Sequence, residues 1–212
     1  MLVASLPGCA PTSATAPAPD AALVNYEGLA TVRSRNFDVA QVRPGTDFSA
    51  YSRLRLGTPD LAYRTPDSSK RQFPLSEEQK ARFRDNLVAA FDKAFAGTQV
   101  LELVDEPGPD TLTLVVTVED IVVTVAPSTV GRAGRGAALL EASGGAVMTI
   151  ELRDSQSNAI LARGVNAADV SGGALRTPEG ELRTRFESSG KILETWAANA
   201  RSGVENLLGE SR

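Results

Sequence analysis

The stretch Thr111–Val125, TLTLVVTVEDIVVTV, constrains this chain more than any other. Leu112, Leu114, Val116 and Val118 recur at every second position, the period of a strand whose alternate side chains share one face. After Glu119-Asp120 the apolar set moves by one, to Ile121, Val123 and Val125. A one-residue change of parity would turn each following side chain to the opposite face, so a bulge or bend is expected at Glu119-Asp120. No other part of the chain carries as strong a β signal.

The surrounding segments fill in the rest of a layer. In Tyr51–Leu56 the residues Leu54 and Leu56 alternate with Arg53 and Arg55, the pattern of a half-buried strand that could continue past Pro59 to Tyr63. After a loop over Arg64–Pro74, Ser76 and Gln79 stand at capping-box spacing, and Glu77 and Glu78 occupy the positive first turn of a helix. Phe83, Leu87, Phe91 and Phe95 then recur every four residues, and Gly97 supplies the stop. Thr98–Val104 is expected as a strand, closed by Glu106-Pro-Gly-Pro-Asp110. Leu139–Arg153 and Ala159–Val170 follow, joined by Asp154-Ser-Gln-Ser-Asn158, where Asn can take a left-handed conformation. In the first of these Ala146, Met148, Ile150 and Leu152 face inward. The end of the chain, about Leu182–Leu208, reads as a long amphipathic helix with Phe186, Leu193, Trp196, Ala200, Val204 and Leu207 on its stripe. Ser189, Gly190, Ala197 and Gly203 add small residues that let it lie close to a sheet. The order β-α-β-β-β-β-α lacks the alternation of a doubly wound sheet. It predicts an α+β fold, a mainly antiparallel sheet of about four to five strands with two helices packed on one face.

Composition removes several functions. The 22 Lys and Arg are scattered among 26 acidic residues, for a net charge of −4, so no basic stripe exists to neutralise nucleic-acid phosphates. The chain has no histidine and one cysteine, which leaves no soft-ligand zinc site, no Ser-His-Asp triad and no metal or cofactor site to nominate. No run of about 18 or more apolar residues is present to span a bilayer.

That single cysteine, Cys9, sits in Ser5-Leu-Pro-Gly-Cys-Ala-Pro11. Leu6-Pro7-Gly8-Cys9 matches the end of a bacterial lipoprotein signal, where cleavage falls between Gly8 and Cys9 and the cysteine sulfur carries the lipid. Only Met1–Leu6 precede the box, without a basic region or a full apolar core, as expected of a start placed too late. Residues 10–22, APTSATAPAPDAA, are too poor in apolar surface to fold and form an extended tether, at ~3 Å per residue roughly 35–40 Å long. The domain plan is therefore 1–8, a signal remnant; 9–35, the lipidated Cys9 and its Ala/Pro-rich tether; and 36–209, a single domain. Ala10 after the cysteine fits sorting to the periplasmic face of the outer membrane.

Candidate chemistry is sparse. Gly131-Arg-Ala-Gly-Arg-Gly136 lacks the Gly-Lys-Ser/Thr ending of a phosphate loop and is better taken as a surface loop. Adjacent Glu119 and Asp120 would point to opposite faces of a strand unless a bulge turned them together. Glu151 faces outward by parity and Asp154 opens a turn. Ser68 and Ser69 beside Lys70 make a polar loop. No catalytic residue is nominated. The expected function is a non-enzymatic binding or scaffold module, held to the membrane by its lipid. Its partner would be an envelope protein or cell-wall component, met by the uncovered sheet face, the 127–138 loop, and Arg132, Arg135, Glu151 and Arg153. Two alternatives stand beside it: a periplasmic hydrolase using carboxylates among Glu119, Asp120, Glu141 and Glu151, and a soluble cytosolic protein if Met1 is the true start.

Over most of the chain after Cys9, turn and strand motifs run in an order that resembles a family of uncharacterised bacterial lipoproteins, domain of unknown function 3313. They are Pro44-Gly-Thr-Asp-Phe-Ser-Ala-Tyr51, the strand after it, the helix from Leu75, Glu106-Pro-Gly-Pro-Asp-Thr-Leu112, and Leu140-Glu141 through Glu151-Leu-Arg-Asp-Ser-Gln-Ser-Asn-Ala-Ile-Leu-Ala162. Where the family tends to have Asp-x-x-Thr-Gly-Glu-x-Leu-Ala, this chain has Ser157-Asn158 for Thr-Gly. The resemblance implies a lipid-anchored envelope protein and brings no catalytic residues with it.

Overall fold

Strand β6, Thr111–Val122, lies inside the sheet with partners on both edges. The computed structural model describes residues 24–64, 76–122, 145–169, 175–176, 182–183 and 189–210. On one edge β6 pairs antiparallel with β7, Gly145–Asp154. On the other it meets two strands in succession, both parallel: β3, Arg53–Leu56, along Thr111–Leu114, and β4, Asp60–Tyr63, along Thr117–Ile121. Between them the Gly57 N–H donates to the Leu114 carbonyl at 2.8 Å, and a Cβ at Gly57 would stand 3.0 Å from that oxygen. Parallel neighbours need a crossover. Helix α1, Glu77–Phe95, lies within the connection between these strands and β6.

Beyond β7 the sheet continues antiparallel through β8, Ile160–Asp169, then β2, Val39–Val42, and β1, Ala30–Val32. The two-residue β5, Glu102–Leu103, closes the far side parallel to β3. Strands β9, Leu175–Arg176, and β10, Leu182–Arg183, form a separate pair, and helix α2 spans Ser189–Glu210.

The α+β class with two helices stands, but the sheet is mixed and has eight strands, where a mainly antiparallel sheet of four to five was expected. The alternation of Arg53–Leu56 is seen in β3, but β1 and β2, of three and four residues, show no decisive period, and parallel pairing is decided by where the crossover lands, a tertiary matter. Only Glu102–Leu103 of the Thr98–Val104 segment is strand. The final helix starts at Ser189, with Leu182-Arg183 in β10 instead, and its stripe ends on Leu208, buried, with Leu207 half-buried beside it. Strand β1 falls within the segment assigned to the tether, so the folded domain begins upstream of residue 36; Val24 already bridges to Ala30.

The parity change in β6 is a bulge. Glu119 pairs with Val147 and Val122 with Gly145, three steps on β6 against two on β7. The extra residue places Ile121 in the same core as Leu112, Leu114, Val116 and Val118. The hairpin turn takes the left-handed residue at Asn158, φ 58°. The Ser76 hydroxyl accepts from the Gln79 N–H while the Gln79 side chain accepts from the Ser76 N–H, completing the box.

One core serves the whole sheet. Phe83, Leu87, Ala90, Phe91 and Phe95 of α1 and Leu193, Trp196, Ala197, Ala200, Val204 and Leu208 of α2 pack against Leu112, Leu114, Val116, Val118, Met148, Ile150 and Leu152. These sheet residues share one face, so both helices cover that face and also pack on each other.

Candidate functional site

The opposite face of the sheet carries a charged cluster. Register fixes it: counting back from the 154–158 turn sets Glu151 directly opposite Arg163, with Val115 on one side and Gln41 on the other. Arg163 Nε and Nη2 donate to Glu151 Oε1 at 2.9 and 2.6 Å, and Arg153 Nε donates to Glu151 Oε2 at 2.9 Å. Arg163 also grips the Glu27 carboxylate with two nitrogens, Nη2 reaching Oε1 at 2.7 Å. Glu27 is presented by a turn in which the Asn25 side chain accepts from the N–H groups of Glu27 and Leu29, and Gly28 takes φ 80°. Arg43 clasps the same turn, donating to the Glu27 and Ile160 carbonyls. The Arg163 hydrogen bonds hold the Glu27 carboxyl below its usual range and raise the guanidinium pKa further. The cluster thus ties the Asn25–Gly28 turn to the middle of the sheet.

Next to it runs a β-branched row. Val39, Val165, Thr149 and Thr117 are direct cross-strand partners on β2, β8, β7 and β6, so their side chains share this face. Val39 is 44% exposed and the other three are half-buried. Neither helix covers them.

On the helix side a cavity of about 670 Å³ opens between the sheet and the C-terminal half of α2. Its floor is Ala40, Val42, Leu114, Ile150, Leu152 and Ala162, and Val204 and Leu207 roof it. The space exists because small residues face one another: Ala40 pairs with Gly164 and Val42 with Ala162 below, with Gly203 above. At one end Phe37 is wedged between the layers. A Cβ at Gly164 would meet its ring at 2.7 Å and one at Gly203 at 2.6 Å. Buried Asn166 holds the Phe37 turn in place, accepting from the Asp38 N–H and donating to the Asn36 carbonyl, both at 3.0 Å. The segment Arg33-Ser34-Arg35-Asn36 lines the mouth.

Among the described residues no cluster of three or more potential metal ligands occurs. Of the expected partner surface, Glu151 and Arg153 lie together on the uncovered face, but they are ion-paired to each other. Gly8, Cys9, Arg132, Arg135, Glu141 and the 127–138 loop lie outside the described residues. Glu119 is exposed on β6, four residues along from the Val115 that sits beside Glu151, about 13 Å at strand rise. Both oxygens of Glu151 are occupied by arginines. A glycosidase-type pair is therefore not built from these two. Asp154, nominated as a turn former, accepts from the Ser157 hydroxyl and N–H at 2.6 and 2.7 Å, which lowers its pKa. Tyr51 donates to its other oxygen at 3.0 Å, and burial together with that bond pushes the phenol up to about 12. Arg163, Glu27 and the Phe37 wedge escaped sequence reasoning. Only Arg163 had a signal, its register from the turn.

No family model and no curated protein matches the sequence. The resemblance to domain of unknown function 3313 therefore rests on its turn and strand motifs. Solved structures with a similar chain path include a PelC dodecamer from Paraburkholderia phytofirmans, 10% identical, covering 76% of this chain and 96% of that one with a TM-score of 0.40. Protein XCC0632 from Xanthomonas campestris, of family model DUF330, is 10% identical over 74% of this chain and 86% of its own, TM-score 0.43. A structure described as "a putative lipoprotein from Caulobacter crescentus CB15" is 14% identical over 78% and 92%, TM-score 0.31. Likeness of this degree assigns no activity, and the functional conclusion is drawn from the chain's own residues.

Proposed function

We propose that this chain is a lipid-anchored cell-envelope protein that acts as a non-enzymatic binding or scaffold module, carried by Cys9 on the periplasmic face of the outer membrane. The observation that carries the binding role is the uncovered face. There the Val39–Val165–Thr149–Thr117 row sets β-branched side chains across four strands, Val39 exposed and the others half-buried, beside charges that are already mutually neutralised. Such a surface is suited to shape-complementary docking of a protein or cell-wall partner. The anchoring role is supported by Leu6-Pro7-Gly8-Cys9 and the Ala/Pro-rich tether after it.

Both roles are testable in bacterial cells producing the chain behind a complete lipoprotein signal. Labelled palmitate should enter the protein and be lost in Cys9→Ser, with the variant leaving the membrane fraction; label retained in Cys9→Ser would refute the anchor. A photo-crosslinker at Thr149 should trap one discrete partner that the same probe at Glu78 on α1 does not, and identical adduct patterns at the two positions would count against the face.

A further inference from the structure

We infer that the helix-side cavity binds a single-chain amphiphile with an anionic headgroup, of the long-chain fatty acid type. Its volume of about 670 Å³ lies inside the ~300–1,000 Å³ range of small-molecule sites. The lining divides into two chemistries. The deep wall is aliphatic, made by Leu114, Ile150, Leu152, Ala162 and Val204, and Gln41, Arg163 and Asn206 add polar groups to the lining. The mouth is cationic and polar. Arg33 and Arg35 are both exposed and have no ion-pair partner among the described residues, and the nearby hydroxyl of Ser34 only organises its own turn. Asp38, the carboxylate next to this segment, accepts from the Ala167 N–H at 2.9 Å. A chamber with an aliphatic deep wall, and with two guanidinium groups at its mouth that are unpaired among the described residues, complements an acyl chain ending in a carboxylate.

A smaller cavity of about 190 Å³ lies between α1 and the sheet, beside Leu87 and Phe91; the larger one forms where Ala40, Ala162, Gly164 and Gly203 withhold side chains around Phe37, which closes one end. The chamber lies on the side of the sheet opposite the Val39–Thr117 row, so ligand binding here and partner docking there can each fail without the other.

The test is titration of the full chain, purified without detergent, with tritiated palmitate and separately with monopalmitoylglycerol. Saturable one-to-one binding of palmitate is expected. Arg33→Glu/Arg35→Glu, exposed and free of ion pairs, should keep its fold by circular dichroism and weaken palmitate by about tenfold or more while leaving monopalmitoylglycerol within about twofold. Ala162→Leu, which narrows the chamber, should weaken both. No saturable palmitate binding to the wild-type chain overturns the proposal, as does preference for a two-chain phospholipid over palmitate. Equal palmitate affinity in the double charge reversal overturns the headgroup assignment even if Ala162→Leu fails to fold. A concentration-dependent dimer that blocks the chamber and is indifferent to palmitate overturns it in favour of a second copy of the chain.

Discussion

Helices α1 and α2 cover the same sheet face, yet they are packed in opposite ways. Helix α1 drives Phe83, Leu87, Phe91 and Phe95 into the sheet, with Phe91 and Phe95 stacked 6.4 Å apart, and leaves only about 190 Å³ open beside Leu87 and Phe91. Helix α2 presents Ala197, Ala200 and Gly203 between its larger residues, approaches more closely, and leaves a chamber at its C-terminal half. Large side chains on one helix set the layer spacing, and small ones on the other determine where that spacing is left unfilled. Denser packing serves stability, and the gap under α2, about 670 Å³ against about 190 Å³ under α1, has the space for a ligand.

The difference can be broken from either side. Phe91→Ala should have the largest effect, about 3–5 kcal/mol, since a buried ring is removed from the core; urea unfolding measures it, and a loss below about 1 kcal/mol would mean that α1 is not the tighter side. Gly203→Val should cost about 1–3 kcal/mol by driving a side chain into Phe37. Phe37→Leu in the same chain should recover part of that cost, giving a non-zero coupling in a double-mutant cycle; strict additivity would show that the wedge does not connect the two layers. The smallest effect belongs to the uncovered face and depends on pH. The folded-state pKa of Glu27 lies below its ordinary value of 4.5. Its contribution is therefore complete above that pH and is lost as pH falls through the folded value. The urea midpoints of wild type and Glu27→Gln should converge on acidification from about pH 6 to about pH 3, and a constant gap would detach the Glu27–Arg163 pair from stability.

Local chemistry in the sequence went far where the structure depends on neighbours along the chain. The capping box at Ser76 and Gln79, the bulge after Glu119 and the left-handed Asn158 each follow from a few adjacent residues, and the inward set Met148, Ile150, Leu152 follows from period two. The short strands were not legible in the same way. Four residues such as Val39–Val42 show no decisive period, and their strand character comes from pairing with β8. The candidate site divides along the same line. Glu151 and Arg153 could be placed outward by parity, whereas Glu27 reaches Arg163 across 136 positions of sequence.

The sequence by itself determined the class of the fold, the helix that opens at Ser76, and the central strand with its parity break. These are consequences of local propensity and periodicity, which act over a few residues. Only the tertiary structure decided that β3 and β4 share one edge of β6 in parallel, that Val24 bridges to Ala30 beside the sheet edge, and that Phe37 lodges between Gly164 and Gly203 beside an unfilled chamber. Each of these depends on which distant surfaces meet, and steric fit between layers selects among pairings that local sequence leaves equally open.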